Sequence, residues 1–369
     1  MGGRGIPRRK RVRQLPFPKI QAPLLWETER RYTYMLAKED IMNKTVAAIA
    51  AATLIAGLAA CSGSRHEANE KYYLVVLNAK IAYWQAASAG LDRAARGLGV
   101  ASETVGPDNY DVQAEVQAFR DAVSKKPAGI LVSAGDPTTM KEPIDAAIAQ
   151  GIPVVTIDAD APASKRLTFV GTNNYQAGLM GGRTLAERLH GKGDVVVFTM
   201  PGQSNLDERL QGYKNILSEH PQIKIVRVVD VKGTPSIAFD TTQEILKGKS
   251  VPDGFVCLEA TACQEIADVL DRNKVDGKVL VAMDSDANTL TWIQKGKIAA
   301  TIVQKPFTMA HFGTLILDTV HHYKLPTLEA NWTQDTRSPV PVFVDTGATL
   351  IDKDNVDAFL KAQAPAAAN

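Results

Sequence analysis

The sequence has few residues of the kinds that build redox, metal or nucleic-acid sites. It holds only three cysteines in 369 residues, and the spacing of Cys257 and Cys263 matches neither a zinc pair nor a redox motif. Its six histidines form no pattern with carboxylates that is typical of a catalytic metal. We therefore expect no metal and no cofactor. We interpret the two cysteines as buried free thiols, with a disulfide as the alternative.

Other signatures are missing as well. The net charge is only +2, so the composition does not indicate a nucleic-acid partner. The sequence shows no nucleophile elbow and no Gly-x-Gly-x-x-Gly turn after its first predicted strand. These absences disfavour an enzyme.

The apolar run near the amino end is too short to span a bilayer comfortably. Thr45–Leu58 has the length of the hydrophobic region of an export signal and follows Met42 closely. Small residues then precede Cys61, which is the pattern of a bacterial lipoprotein signal whose cysteine is acylated. We predict a signal peptide at 42–60, lipidation at Cys61 and a polar tether at 61–70. The alternative, a buried apolar helix, is disfavoured because the run has no polar face.

Residues 1–41 contain a basic, proline-rich cluster without an apolar period, and we expect this segment to be disordered. A signal must lie near the true amino end, so we predict that synthesis starts at Met42 and that residues 1–41 are not native. A nucleic-acid-binding arm is the alternative interpretation of the cluster. The mature chain is then expected outside the cytoplasmic membrane, anchored by lipid.

After residue 70, short apolar runs alternate with helical patterns, and the alternation repeats in a second half. This order indicates an α/β fold with two similar doubly wound parallel-sheet lobes, joined by a three-segment hinge around a ligand cleft. We assign 71–172 plus 306–337 to the first lobe, 173–305 plus 338–361 to the second, and 362–369 to a disordered tail. The three crossings are expected near Gly171–Asn174, Gln304–Phe307 and Ser338–Val342.

The clearest local pattern lies in Val279–Pro306. A buried strand at Val279–Met283 stops at Asp284, and a second strand ends at Gln304. Polar residues at the carboxyl ends of parallel strands face the crevice where ligands bind. The alternative for Asp284 is a helix cap.

Similar positions along the chain yield a chemically coherent set of candidates. Charged planar groups bind sugar hydroxyls bidentately, and aromatic faces cover the apolar face of a sugar ring. Core packing of the aromatic pair and a solvated helix face for the arginine are the alternatives. The candidates that join Asp284 and Gln304 are Lys80, Tyr83, Trp84, Asp158, Arg209 and Glu259.

With these residues the chain resembles the ribose-binding-protein family of periplasmic solute-binding proteins, which serve ABC sugar importers. The resemblance covers about Tyr72 to Leu360 and implies the type 1 periplasmic binding fold. It implies ring-sandwiching roles for Tyr83 and Trp84, and hydroxyl binding by four other residues. The motifs that carry it are Tyr83-Trp84, Gly151–Asp158, Gly171–Asn174, Asp207–Arg209 and Met283–Gln304, with Asp158, Arg209, Asp284 and Gln304 as the hydroxyl-binding residues.

The sequence departs from a ribose binder at several matching positions. Ile81 and Glu259 replace asparagines, and Ala159 replaces an arginine. Other residues are similar to those of family members that bind rhamnose-like sugars or a furanosyl autoinducer. Three carboxylates around one arginine also suit a polyol or an amino sugar. The further candidate ligand residues are Lys80, Asp160, Asn174 and Asp207.

The resemblance implies a monomeric, non-catalytic binding protein that delivers a sugar or polyol to a membrane permease. A sensory co-receptor, which presents its ligand to a chemoreceptor or kinase, is the first alternative, and an enzyme on the same fold is the second. A transcription regulator is disfavoured because an export signal replaces the DNA-binding domain at the amino end.

Overall fold

The computed structural model describes residues 66–67, 69–322, 338 and 340–363, together with Met35 and Lys38. The predicted signal peptide and Cys61 lie outside the described residues, as do nearly all of the amino-terminal extension and residues 364–369 of the tail. No helix in the described part of the chain is long and apolar enough to cross a membrane.

The first lobe is built on a six-stranded sheet with the strand order β11-β5-β4-β3-β1-β2. Every strand pair in this sheet is parallel. The alternating elements that build it are β1 (Lys71–Val75), α1 (Ala82–Leu98), β2 (Ala101–Val105), α2 (Val112–Ser124), β3 (Gly129–Val132), α3 (Pro137–Ala149), β4 (Val154–Ile157) and β5 (Phe169–Gly171).

The second lobe repeats this plan with the strand order β12-β10-β9-β8-β6-β7. Its strands are parallel except that β12 runs antiparallel to β10. Its elements are α4 (Asn174–Arg188), β6 (Lys192–Thr199), α5 (Ser204–Ser218), β7 (Gln222–Asp230), α6 (Pro235–Leu246), β8 (Gly254–Cys257), α7 (Ala262–Arg272), β9 (Val279–Met283), α8 (Ala287–Gln294) and β10 (Ala300–Val303). The predicted fold class is thereby confirmed.

The remaining elements are α9 (Pro306–His322), β11 (Phe343–Asp345), β12 (Thr349–Asp352) and α10 (Val356–Gln363). Helix α9 packs on the first sheet, so the chain crosses between lobes at 172–173 and again at 304–305. The third crossing differs from the expectation of Ser338–Val342. Because β11 pairs with β5 of the first sheet, the chain crosses only at 346–348, and Phe343–Asp345 belongs to the first lobe.

Each sheet has a hydrophobic cluster on both faces. This explains why central strands such as β3 and β4 are continuous apolar runs, which sequence patterns locate well. The edge strand β2 was not predicted, because its Ala-Ser-Glu-Thr-Val sequence is half exposed and lacks such a run. Helix α3 begins at Pro137, since the Asp136 side chain accepts hydrogen bonds from the Thr138 and Thr139 amides.

Close helix packing positions the inner face of α5 in the second lobe. A Cβ atom on Gly178 of α4 would lie 2.2 Å from the backbone oxygen of Arg209, so only glycine permits this approach. Gly212 of α5 has the same relation to α4, since a Cβ there would lie 2.4 Å from the Tyr175 oxygen. The two glycines therefore allow α4 and α5 to pack closely, and this packing fixes the position of Arg209 on α5.

The interpretation of Cys257 and Cys263 as free thiols is wrong. The two residues form a disulfide, with their Cα atoms 5.6 Å apart. Cys257 ends β8 and Cys263 lies in the first turn of α7, so the short connection between strand and helix returns one cysteine to the other. A disulfide fits an oxidising compartment.

Candidate functional site

Two aspartates occupy equivalent positions in the two sheets. Asp158 follows β4 and Asp284 follows β9, and each of these strands is third in its sheet order. Both residues have a left-handed backbone, with φ values of 62° and 68°. This conformation is uncommon for residues other than glycine and is enriched at functional sites. Both aspartates therefore lie at the carboxyl ends of their strands, and both line the cavity described below.

Donors from both lobes surround the Asp158 carboxylate. The Tyr83 hydroxyl donates to Asp158 Oδ1 at 2.6 Å, and the Ser133 hydroxyl donates to Oδ2 at 3.4 Å. Asn205 of the second lobe donates from Nδ2 to Asp158 Oδ2 at 3.2 Å. The carboxylate thus links the lobes directly.

Arg209 is the centre of the second lobe's side of the site, and it is only 2% exposed. Its Nε donates to Asn174 Oδ1 at 2.9 Å and its Nη1 to the Leu258 backbone oxygen at 2.7 Å. Its Nη2 donates to Gln304 Oε1 at 2.7 Å, and Gln304 Nε2 donates in turn to Asp284 Oδ1 at 3.0 Å. A chain of directed hydrogen bonds therefore fixes Gln304 and Asp284, and it determines that the amide oxygen of Gln304 faces the arginine.

Both oxygens of Glu259 already accept hydrogen bonds from the start of α7. Oε2 accepts from the Thr261 amide at 2.7 Å and from its hydroxyl at 2.8 Å, and Oε1 accepts from the Ala262 amide at 2.6 Å. Glu259 lines the cavity but acts as a helix cap there.

A cavity of about 90 Å³ lies between the lobes, several times the space that one water needs. Tyr83 and Trp84 of α1 form its first-lobe wall, with ring centroids 5.0 Å apart and ring planes at 85°. Asp158 and Asp284 both line it, together with Arg209 and Gln304. The structure thus brings together all seven principal candidates: Tyr83, Trp84, Asp158, Arg209, Glu259, Asp284 and Gln304.

Burial dominates the electrostatics of the cavity. It raises the pKa of Asp284 to about 7, against the opposing influence of Arg209 and Gln304. Burial also raises the pKa values of Asp158 and Glu259, although Arg209 again opposes the shift of Asp158. Burial and the nearby Asp158 raise the pKa of Tyr83 well above its ordinary value, so its hydroxyl stays a hydrogen-bond donor. The site is therefore less negative near neutral pH than its formal charges suggest.

The four further candidates do not line the cavity. Lys80 is exposed, and its Nζ lies 3.5 Å from Asp108 Oδ1. Asp160 pairs with Arg166 at 2.6 Å, and Asp207 accepts from the Gly202 amide at 3.1 Å. Asn174 supports the site indirectly, since its side chain orients Arg209.

The sequence analysis missed several polar residues that line the cavity, among them Tyr110, Ser133, Gln203 and Asn205. Ser133 directly follows β3, so the rule that found Asp158 would also have found it. Tyr110 lies in a loop after the unpredicted strand β2, and no periodic pattern indicates it. Gln203 donates from Nε2 to the Tyr110 hydroxyl at 3.1 Å, which adds a second contact between the lobes.

Known proteins are similar to this chain in sequence and in fold. Residues 72–320 match the family model described as periplasmic binding protein domain. The ribose import binding protein of Bacillus subtilis (strain 168) is 26% identical over 242 residues, covering 64% of this chain and 76% of that protein. The xylitol-binding protein of Mycolicibacterium smegmatis is 23% identical over 332 residues, covering 87% of this chain and 89% of that protein. The solved structure of an arabinose binding protein from Geobacillus stearothermophilus has 32% identity and a TM-score of 0.66, covering 79% of this chain and 99% of that chain.

Proposed function

Because the chain belongs to the periplasmic binding protein domain family, we propose that it is a non-catalytic solute-binding protein that captures a sugar or sugar-like polyol between its lobes. The observation that carries this proposal is the cavity lined by Asp158, Arg209 and Asp284, with two aromatic rings on one wall. Carboxylates accept hydrogen bonds from ligand hydroxyls, and a guanidinium donates to them. The rings cover the apolar face of the ligand.

The ligand we propose is neutral and rich in hydroxyl groups. Glu259 is engaged as a helix cap and Asp284 has a pKa of about 7, so the cavity offers both charged and protonated carboxyl groups. Such a mixture accepts and donates hydrogen bonds, as a polyhydroxylated ligand requires. The relatives are named for ribose, xylitol and arabinose, which supports pentoses and pentitols as the first class to test.

Ligand binding is proposed to favour the closed arrangement of the lobes. Asn205 contacts Asp158 and Gln203 contacts Tyr110 across the cleft, so contacts already exist that opening would break. A ligand that touches both lobes binds the closed state better and shifts the population towards it.

We further propose that the closed form is recognised by the permease of an ABC importer. The proposed lipoprotein signal and acyl acceptor Cys61 would hold the protein, as a monomer, on the outer side of a membrane. The disulfide between Cys257 and Cys263 supports this compartment, because disulfides persist in oxidising surroundings.

A thermal-shift screen of the chain from Ser62 onward tests the proposal. Pentoses, hexoses, deoxy sugars, polyols and amino sugars are compared with inorganic salts of the same concentration. A bound ligand raises Tm with the logarithm of its excess over Kd. We expect a clear increase from at least one sugar or polyol, and its loss in Asp284→Ala, which keeps the Tm of the unliganded protein. A screen without any response, or a full response in Asp284→Ala, would contradict the proposal.

A further inference from the structure

A second cluster of polar side chains lies where the start of β1 meets the end of α9. Glu70 directly precedes β1, and His321 and His322 end α9. The Nε2 atoms of His321 and His322 lie 3.4 Å and 2.8 Å from Glu70 Oε1. These three atoms, each able to bind a metal, all lie within 4.8 Å of one another.

The hydrogen bonding of His322 determines which of its nitrogens is available. Its Nδ1 lies 3.0 Å from the backbone oxygen of Asp318, one helical turn earlier. Since a carbonyl oxygen only accepts, Nδ1 is the nitrogen that donates to it, and Nε2 is the nitrogen directed towards Glu70. Nε2 therefore faces Glu70 Oε1 at 2.8 Å, where both atoms can share one cation. Histidines that bind metals commonly donate their other N–H to a backbone carbonyl in this way.

Glu70 holds a buried carboxylate beside the two histidines. Its side chain is only 4% exposed. Its Oε2 accepts from the Glu67 amide at 3.0 Å, whereas Oε1 has no hydrogen-bond partner among the described residues. Burying a carboxylate is costly unless positive charge lies nearby, and a metal ion shared with the two imidazoles would supply that charge.

We propose that Glu70, His321 and His322 bind one divalent transition-metal ion, with Zn²⁺ as the best match. Two imidazoles and one carboxylate are an established donor set for zinc and leave a fourth position for water. Tetrahedral zinc with bonds of about 2.0–2.1 Å separates its ligand atoms by about 3.3 Å. The two nitrogen–oxygen distances of 2.8 Å and 3.4 Å lie on either side of that value.

A second layer of contacts orients the proposed ligands. Asp318 Oδ1 lies 2.9 Å from His66 Nε2 and accepts from the Tyr72 hydroxyl at 3.2 Å. The His66 ring meets the His322 ring edge-on, with centroids 4.6 Å apart. The ion would therefore fasten Glu70, which precedes β1, to the end of α9. The site is separate from the sugar cleft and does not depend on the proposed function.

Metal binding is tested on tag-free protein that begins at Ser62, since the chain from His66 onward forms one unit. The protein is stripped with EDTA and titrated with Zn²⁺ by calorimetry, and bound zinc is counted by mass spectrometry after desalting. His322→Gln and Glu70→Gln remove one ligand each, and His220→Gln is the matched control outside the cluster. Co²⁺ serves as a spectroscopic probe of tetrahedral nitrogen and oxygen ligation.

We expect one Zn²⁺ per chain and an increase in Tm of about 5 °C at a hundredfold excess over Kd. We expect at least about tenfold weaker binding in both ligand variants and unchanged binding in His220→Gln. The Tm response of the unaltered protein to EDTA and added zinc keeps the test valid if a variant fails to fold. No stoichiometric zinc, or equal affinity in His322→Gln and His220→Gln, would overturn the proposal.

Discussion

Asp158 and Asp284 occupy equivalent positions in the two lobes, so their surroundings can be compared directly. Both end the third strand of their sheets, both have a left-handed backbone, and both are 7% exposed. Asp158 accepts side-chain hydrogen bonds from both lobes, whereas Asp284 accepts from Gln304 of its own lobe in the described structure. The same backbone geometry therefore gives a carboxylate that joins the lobes and another that depends on a network within one lobe.

The difference shows that neighbours, rather than strand position, determine the chemistry of each aspartate. Three hydrogen bonds and Arg209 oppose the effect of burial on the pKa of Asp158. At Asp284, burial prevails over Arg209 and Gln304 and raises the pKa to about 7. The pKa of Asp284 thus lies near neutral pH, and burial raises the pKa of Asp158 as well.

Replacement of the central arginine should have the largest effect. Arg209→Met removes the donor to Gln304 and leaves buried acceptors without partners. We expect ligand affinity to fall by at least about 100-fold and the free energy of unfolding to fall by about 3–5 kcal/mol. Calorimetry and urea unfolding measure the two effects. Arg183→Met, on the exposed face of α4, is the control. An Arg209→Met protein with normal affinity would show that ligand binding does not require the hydrogen bonds from Arg209.

The pH dependence of binding should separate the two aspartates. The pKa of Asp284 is raised from 3.8 to about 7, so the folded protein binds more protons than the unfolded chain in that range. Asp284 therefore lowers the free energy of unfolding as the pH rises from 3.8 to about 7. A ligand hydroxyl can donate to Asp284 only when the carboxyl group is ionised. The Kd should therefore be about tenfold higher at pH 6 than at pH 8. Calorimetry at both pH values should show a larger change in Asp158→Asn than in Asp284→Asn, and the reverse pattern would refute the assignment.

A glycine at the contact between lobes offers a smaller perturbation. A Cβ atom on Gly233 would lie 2.4 Å from Tyr110 Cβ, so Gly233→Ala hinders closure. We expect about fivefold weaker ligand binding and a larger radius of gyration with ligand present. Gly202→Ala is the matched control, because Gly202 also has a positive φ, of 95°, but open space around its Cβ position. Equal affinities of the two variants would show that closure does not require this contact.

The smallest effects are expected from one peripheral residue of each lobe. Lys80 and Asp207 lie outside the cavity. Lys80→Ala and Asp207→Asn should each change Kd by less than about twofold. A larger change in either variant, measured by the same titration, would extend the site beyond the cavity described above.

The sequence predicts most of the fold because its central strands are buried on both faces. The bounds of β9 coincide with the predicted Val279–Met283, since an apolar run that stops at Asp284 marks them. The edge strands β2, β11 and β12 are short or half exposed and lack that signal. The third crossing was misplaced for the same reason.

The site was predictable where a residue ends a buried strand. Asp158, Asp284 and Gln304 follow that rule, whereas the role of Glu259 as a cap depends on the path of the chain after β8. Contacts between distant segments left no pattern in the sequence. Asn205 and Asp158 come together only when the two lobes meet. Glu70 and His322 come together only when the start of β1 packs beside the end of α9.

The central claim is that one ligand is bound by matching carboxylates from both lobes. Titration of the best sugar or polyol into Asp158→Asn and Asp284→Asn at pH 8 tests it most directly. We predict that each variant loses at least about tenfold in affinity, because each lobe supplies an acceptor for a ligand hydroxyl. Normal affinity in either variant would show that one lobe is dispensable and would contradict the account.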